Sequence, residues 1–252
     1  MTVLNSNIQK GGALIDDSRR LVSVWDPAGS ADENRERIVA ENLLGKPSRA
    51  RTEDVLRRIL GPRFIEPGPH VIPALRSLID RPDAFREACY YETTRENQLL
   101  ADFAEGPLFD RYEAGRTAVE RDEVIQWLKG LASDGRIPAW SDSVQIKTAR
   151  GILAALRDFG ILEGAVNKTI AAPRLSPAGF AYAAFREHET GRSSRAIIES
   201  TVWRRWLLSQ DHVWDLLGQV ERLGILRLSR AGSTMRLDWE LDTLEEVTRA
   251  AA

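Results

Sequence analysis

Leu156-Arg157-Asp158-Phe159-Gly160-Ile161-Leu162 and, 64 residues further on, Val220-Glu221-Arg222-Leu223-Gly224-Ile225-Leu226 decide how this chain is read. In each, a helical pattern ends on an apolar residue, a glycine follows, and the chain enters Ile-Leu. A glycine at that place supplies the left-handed backbone that stops a helix and reverses the chain. The apolar pair after it can pack a hairpin back onto the helix. That is how the last helix of a helix-turn-helix domain feeds a β-hairpin wing. The same seven residues also fit a helix–glycine–strand junction of any small α+β domain, so both readings stand on the junction alone.

Upstream of the first junction, Ser143–Phe159 places Ile146, Ala149, Ile152, Leu153, Leu156 and Phe159 on one helical face. Glu120–Ser133 precedes it as a second helix. Around the second junction, Pro177–His188, Arg195–Leu208 and Val213–Leu223 read as helices. Ile225–Ser229 and Thr234–Leu241 then read as strands about the turn Ala231-Gly232-Ser233. The N-terminal half carries helical spacing over Asp16–Val24, from Ser30 to Leu44, and over Ser48–Leu60, Val71–Asp80, Pro82–Phe103 and Pro107–Arg116. Gly61-Pro62 is expected to end one helix and Pro107 to begin another. The expected architecture is mainly α. It has a helical bundle over 1–117, a first helix-turn-helix-like unit over 118–175 and a second, winged-helix-like unit over 176–252.

Of the 252 residues, 43% are apolar and 29% charged, which excludes collagen-like and disordered classes. One cysteine, Cys89, forms no internal disulfide; it is expected in the core, in a reducing compartment. The longest run without a charge, Leu175–Phe185, is far shorter than the ~20 apolar residues of a membrane helix. No signal-peptide pattern opens the chain. These features point to a cytoplasmic protein, expected as a monomer and away from membranes.

Charge is unevenly placed. Residues 1–135 hold 19 Lys and Arg against 23 Asp and Glu, whereas 136–240 hold 15 against 11. A basic late segment in a chain of net charge −2 suits an anionic partner there. Thirty of the 35 basic residues are Arg, which suits bidentate phosphate contacts and equally reflects a GC-rich coding sequence.

Catalytic signals are poor. His70, His188 and His212 are scattered, and His188-Glu189 lacks the second histidine of a zinc-protease helix. Gly45-Lys46-Pro47-Ser48 lacks the upstream glycine of a phosphate loop. No catalytic residue, metal site or cofactor is expected. The helix before the first junction offers more. Lys147, Gly151, Ala154 and Asp158 lie opposite its apolar face, with Arg150 and Arg157 at the edge. Cations around small residues would let a DNA backbone approach closely, although Gly151 also fits close helix–helix packing. Asn167 and Lys168 would sit on the wing. In the second unit Arg192, Arg195, Gln219, Arg222, Arg227, Arg230 and Arg236 are the corresponding candidates for duplex contact. Six of the seven Trp fall in these two units, where they read as core anchors.

Several motifs run in a recognisable order. They are Gly11-Gly12-Ala13-Leu14 with Ser18; Glu41-Asn42-Leu43-Leu44-Gly45-Lys46 with Ser48 and Arg51; and Val55-Leu56-Arg57-Arg58-Ile59 with Arg63-Phe64. Trp140-Ser141, Thr148-Ala149-Arg150-Gly151, the 156–162 junction, Phe180-Ala181-Tyr182, Trp203-Arg204, and Ala231-Gly232-Ser233 with Arg236 and Trp239 follow. Together they resemble the BrxA family, the small core proteins of BREX bacteriophage-exclusion systems. The resemblance implies a largely helical, non-enzymatic protein with helix-turn-helix elements that binds double-stranded DNA. It also implies a place beside a DNA methyltransferase and other BREX components, and it transfers no catalytic residue. The scarcity of exposed Asn and Gln on the 143–159 helix leads us to expect low sequence specificity. The mild overall acidity keeps a second expectation open, a protein–protein scaffold or adaptor that holds other BREX subunits.

Overall fold

The computed structural model describes residues 4–231 and 234–252; the turn residues Gly232 and Ser233 and the side chains of Arg230, Ala231 and Thr234 lie outside the described part. The chain is mainly α. In order, the helices are α1 (Ile8–Gly11), α2 (Ile15–Val24), α3 (Ala31–Ala40), α4 (Arg49–Val55), α5 (Val71–Ser77), α6 (Pro82–Glu96) and α7 (Gln98–Phe103). There follow α8 (Phe109–Glu113), α9 (Arg121–Ser133), α10 (Asp142–Asp158), α11 (Pro177–Glu189), α12 (Ser194–Ile198), α13 (Gln210–Arg222) and α14 (Leu244–Ala251). Leu56–Ile65 and Ala104–Leu108 are π-helical, and Thr201–Trp206 is a 3-10 turn. Short strands β1 (Ala118–Val119), β2 (Leu162–Glu163) and β3 (Lys168–Ile170) form one antiparallel sheet in the order β1-β3-β2. Strands β4 (Leu226–Ala231) and β5 (Thr234–Trp239) form a hairpin.

Several helices end for reasons the apolar spacing did not carry. Asn42 adopts φ 49° and its amide bonds both ways with Lys46, which stops α3 at Ala40 rather than Leu44. Asn97, capping Leu100 N–H at 3.0 Å, splits the expected helix 82–103 in two. The segment 195–208 is likewise not one helix; α12 ends at Ile198 before the 3-10 turn. The two Gly-Pro pairs do the reverse. Both Gly61-Pro62 and Gly106-Pro107 sit inside continuous helical runs, in the π-helical stretches. Proline lacks the N–H and crowds the carbonyl four residues back. The wider π turn accommodates it without ending the helix.

Packing divides the chain into two compact units, each assembled from three segments. The first comprises Met1–Leu14, Thr93–Arg174 and Thr201–Leu208; the second comprises Ile15–Glu92, Leu175–Ser200 and Ser209–Ala252. The edge at 174/175 lies one residue from the expected boundary at 175/176, whereas 117/118 falls inside the first unit. Residues before 118 belong there because Phe103 packs on Trp127 of α9, with ring centroids 5.1 Å apart. Trp203 and Trp206 are buried in this unit, and none of the six Trp expected as core anchors is exposed.

Helix α10 organises the first unit. Ala149, Ile152, Leu153, Leu156 and Phe159 are buried as their spacing requires, and Ile146 is half-buried. A second side is buried as well: Gln145, Thr148 and Ala155 lie inside, and α1 packs on α10. A Cβ placed on Gly151 would meet Gln9 Cα at 2.9 Å and the Ile8 carbonyl oxygen at 3.0 Å. Gly151 therefore serves close helix packing, which corrects the expectation that it faces DNA. The helix ends as the sequence foretells. Gly160 has φ 81°, its N–H bonds Arg157 O at 2.9 Å, and Ile161 N–H bonds Leu156 O at 2.8 Å. Leu162 then pairs with Ile170 in the β2–β3 hairpin.

The second unit is built on α11, whose residues Ala178 to Glu187 are all buried against α12, α13 and α14. Two of its buried carboxylates are matched. Glu92, fully buried, accepts from Tyr182 Oη at 2.7 Å and Arg186 Nε at 2.8 Å, and Glu187 accepts from Tyr91 Oη at 2.8 Å. Burial, reinforced by the Glu92 charge, pushes the Tyr182 hydroxyl well above its usual range. Burial disfavours the Arg186 charge, but Glu92 beside it more than offsets this and holds the guanidinium protonated. Cys89 is a buried core residue whose thiol burial pushes up. The second junction repeats the first: Gly224 has φ 72°, its N–H bonds Glu221 O at 2.9 Å, and Ile225 N–H bonds Val220 O at 3.4 Å. In both copies the chain then enters a hairpin.

The glycines of α9 and α10 should respond oppositely to alanine. Gly130 meets nothing within 4 Å, so Gly130→Ala should gain about 0.5–1 kcal/mol of helix propensity in urea unfolding. Gly151→Ala should instead lose about 1–3 kcal/mol as α1 is pushed off. A stabilised Gly151→Ala protein would contradict the packing described.

Candidate nucleic-acid interface

With two sides of α10 buried, the stripe left open is Lys147, Arg150, Ala154 and Arg157, spaced three, four and three residues apart. Helical rise puts its ends ~15 Å apart. Beside it lies an open groove of about 710 Å3, lined by Ala118 to Asp122, by Arg150, Leu153, Ala154 and Arg157 of α10, and by the loop Ala165 to Lys168. Leu153 and Val119 are its buried apolar lining, and Ala154 keeps the wall low. The β1–β3–β2 sheet positions one flank, through the pairs Val119–Lys168 and Ala118–Thr169.

The loop between β2 and β3 is tightly built. Gly164 has φ 88°, and a Cβ there would fall 2.0 Å from the Asn167 carbonyl oxygen. Lys168 Nζ donates to the Gly164 carbonyl at 2.7 Å and to that of Ala165. The lysine expected to reach phosphate is thus engaged in holding the loop. Val166, at its tip, is 91% exposed.

The cations differ in their engagements. Lys147 and Arg150 form no ion pair with any described residue, and both are exposed. Arg157 pairs with Asp158 at 2.5 Å. Arg121, which the sequence reading did not single out, pairs with Asp122 at 3.3 Å on the opposite flank. The two-residue strand that brings 118–122 to the groove has no apolar alternation long enough to be read. Glu120 and Asp122 add acidic groups to that flank.

The second-unit candidates are not gathered in this way. Arg192 pairs with Glu187 at 2.8 Å, Arg195 with Glu199 at 3.3 Å, Arg227 with Glu240 at 3.2 Å and Arg236 with Asp238 at 2.5 Å. Gln219 is half-buried, Arg222 is exposed, and the Arg230 side chain lies outside the described residues. The hollow beside the β4–β5 hairpin is lined by Glu221 and Glu240 against Arg227 alone.

Among the described residues no cluster of His, Cys, Asp and Glu could hold a metal ion, and no helix is long and apolar enough to cross a membrane. His70 contacts Arg186, His188 packs near Phe185 and Trp239, and His212 contacts the helix cap Ser209.

A mainly helical protein with two helix–hairpin modules, one beside a cationic groove, is the class these features define. The chain belongs to the BrxA family, whose sequence model matches residues 4–187, and is thereby a BREX-associated protein of antiviral defence. That match spans the whole groove and ends before α13 and its hairpin. The fold is similar to the crystal structure of an uncharacterized protein from Magnetospirillum magneticum, with a TM-score of 0.63 at 20% identity over 81% of this chain and 98% of that one. No curated protein matches.

Lys168→Met should release the loop without unfolding the unit. Amide exchange at residues 164–168 should quicken about fivefold or more, for ~1 kcal/mol of lost local protection. Unchanged exchange would show that the lysine does not hold the turn.

Proposed function

We propose that the protein is a non-enzymatic, double-stranded DNA-binding component of a BREX system, acting in the cytoplasm as a monomer alongside other BREX proteins. The observation that carries this reading is the unpaired Lys147 and Arg150 on the open stripe of α10, beside a groove flanked by a rigid hairpin loop. Two helices followed by a small sheet with a projecting loop support a winged helix-turn-helix reading, in which α10 would be the recognition helix. An α-helix with its side chains is ~10–12 Å across, matching the ~12 Å major groove. Lys147, Arg150 and Arg157 would meet phosphates, and the small Ala154 lets the backbone come near. Counterion release then supplies most of the affinity.

Specificity is low for a structural reason. The one amide side chain on α10, Gln145, is buried and donates to Trp140 O at 2.8 Å. The exposed stripe holds no Asn or Gln to read adenine. Lys147 or Arg150 could take a guanine edge at O6 and N7.

Lys147→Glu combined with Arg150→Glu should weaken random-sequence duplex binding at least tenfold in low salt. The log–log salt slope should fall by about 1.8, two contacts at 0.9 each. The circular dichroism spectrum should be unchanged, since both side chains are exposed. A folded variant of unchanged affinity would remove α10 as the interface. Retention of other BREX subunits by a wild-type protein with no duplex affinity would favour the scaffold reading.

A further inference from the structure

Of the four cations lining the groove, three are already engaged within the first unit. Arg121 bonds Asp122 through Nε and a terminal nitrogen, each at 3.3 Å; Arg157 bonds Asp158 at 2.9 and 2.5 Å; Lys168 is tied to two loop carbonyls. In both ion pairs the acid is the residue immediately after the arginine, and both pairs flank the same groove. Arg150 is the lining cation with no such partner. The repeat shows that this frame does not require an aspartate there: in the second module the positions of Arg157 and Asp158 are occupied by Glu221 and Arg222.

We propose that Asp122 and Asp158 are built-in competitors for the phosphate backbone, which hold the groove arginines in check and keep duplex affinity low and its salt dependence shallow. This rests on the DNA-binding reading above and names what limits that site. Physically, a phosphate reaching Arg121 or Arg157 must displace a carboxylate that already takes two guanidinium N–H groups. The acid then remains beside the phosphate as a repelling charge. Exposed pairs of this kind are individually weak. Their effect is therefore to set affinity and salt dependence rather than to hold the fold. Lys147 and Arg150, with no partner to displace, make first contact. Arg121 and Arg157 add theirs only when a duplex wins the exchange.

The test compares the wild-type chain, Asp122→Asn/Asp158→Asn, Asp158→Asn alone, and a charge-matched control, Glu36→Gln/Glu53→Gln, whose exposed acids lie in the second unit. A fluorescent random-sequence duplex is titrated at several salt concentrations. Releasing each arginine should tighten binding about two- to fivefold and steepen the log–log slope by about 0.9. The single variant should show half of the change, and it leaves the first turn of α9 intact should loss of Asp122 perturb that helix. The control should stay within twofold of wild type. An unchanged slope in both aspartate variants would overturn the proposal, and so would an equal gain in the control, which would reduce the effect to net charge. If wild type and the double aspartate variant both fail to bind at low salt, the DNA-binding reading falls. If wild type binds through Lys147 and Arg150 and the aspartate variants match it, only the competitor inference falls.

Discussion

The close seat of α1 on α10 at Gly151 is the contact on which the first unit's surface depends. A helix pressed on one side by its apolar core can expose a broad face, and any of its polar residues can be a candidate for binding. Burial of Thr148, Gln145 and Ala155 on a second side narrows that face to one row. The row contains Ser143, Lys147, Arg150, Ala154, Arg157 and Asp158. The placement of charge follows from packing: the backbone of Ile8 and Gln9 comes so near at Gly151 that a Cβ would collide with it.

The two helix–hairpin modules share a backbone solution and differ in what they display. Each ends its long helix with the same pair of backbone bonds around a left-handed glycine. At the 64-residue offset, however, the row Lys147, Arg150, Ala154, Arg157 becomes Asp211, Trp214, Gly218, Glu221. The small residue is kept while both outer charges are inverted. Arg227 and Arg236 of the second module's hairpin are also paired with neighbouring acids. A shared fold therefore does not confer a shared surface charge.

Much of the fold was legible because it is written in local chemistry. The glycine after an apolar helix end and the 3.6-residue apolar spacing each act within a few residues. They located α9, α10, α13 and both junctions. What escaped depends on distant partners. The use of Gly151 is decided by residues 8 and 9, far off in sequence. The membership of 201–208 in the first unit, and β1 as a strand, rest on contacts with no local signature. The Gly-Pro pairs misled for a different reason: a π turn removes the conflict that normally makes proline a helix end. Among site residues, Lys147, Arg150, Ala154 and Arg157 were visible as a helical row. The state of each charge was not, since pairing with Asp158 or with loop carbonyls is a matter of side-chain geometry.

On the proposed reading, α10 and its flanking loop, rather than the second module, meet the duplex. Hydrogen–deuterium exchange of the whole protein with and without a random-sequence duplex at low salt tests it most directly. Slowed exchange is expected over residues 118–122, 147–157 and 164–168, with 210–239 unchanged. Protection confined to 210–239, with α10 and the 164–168 loop unaffected, would contradict it.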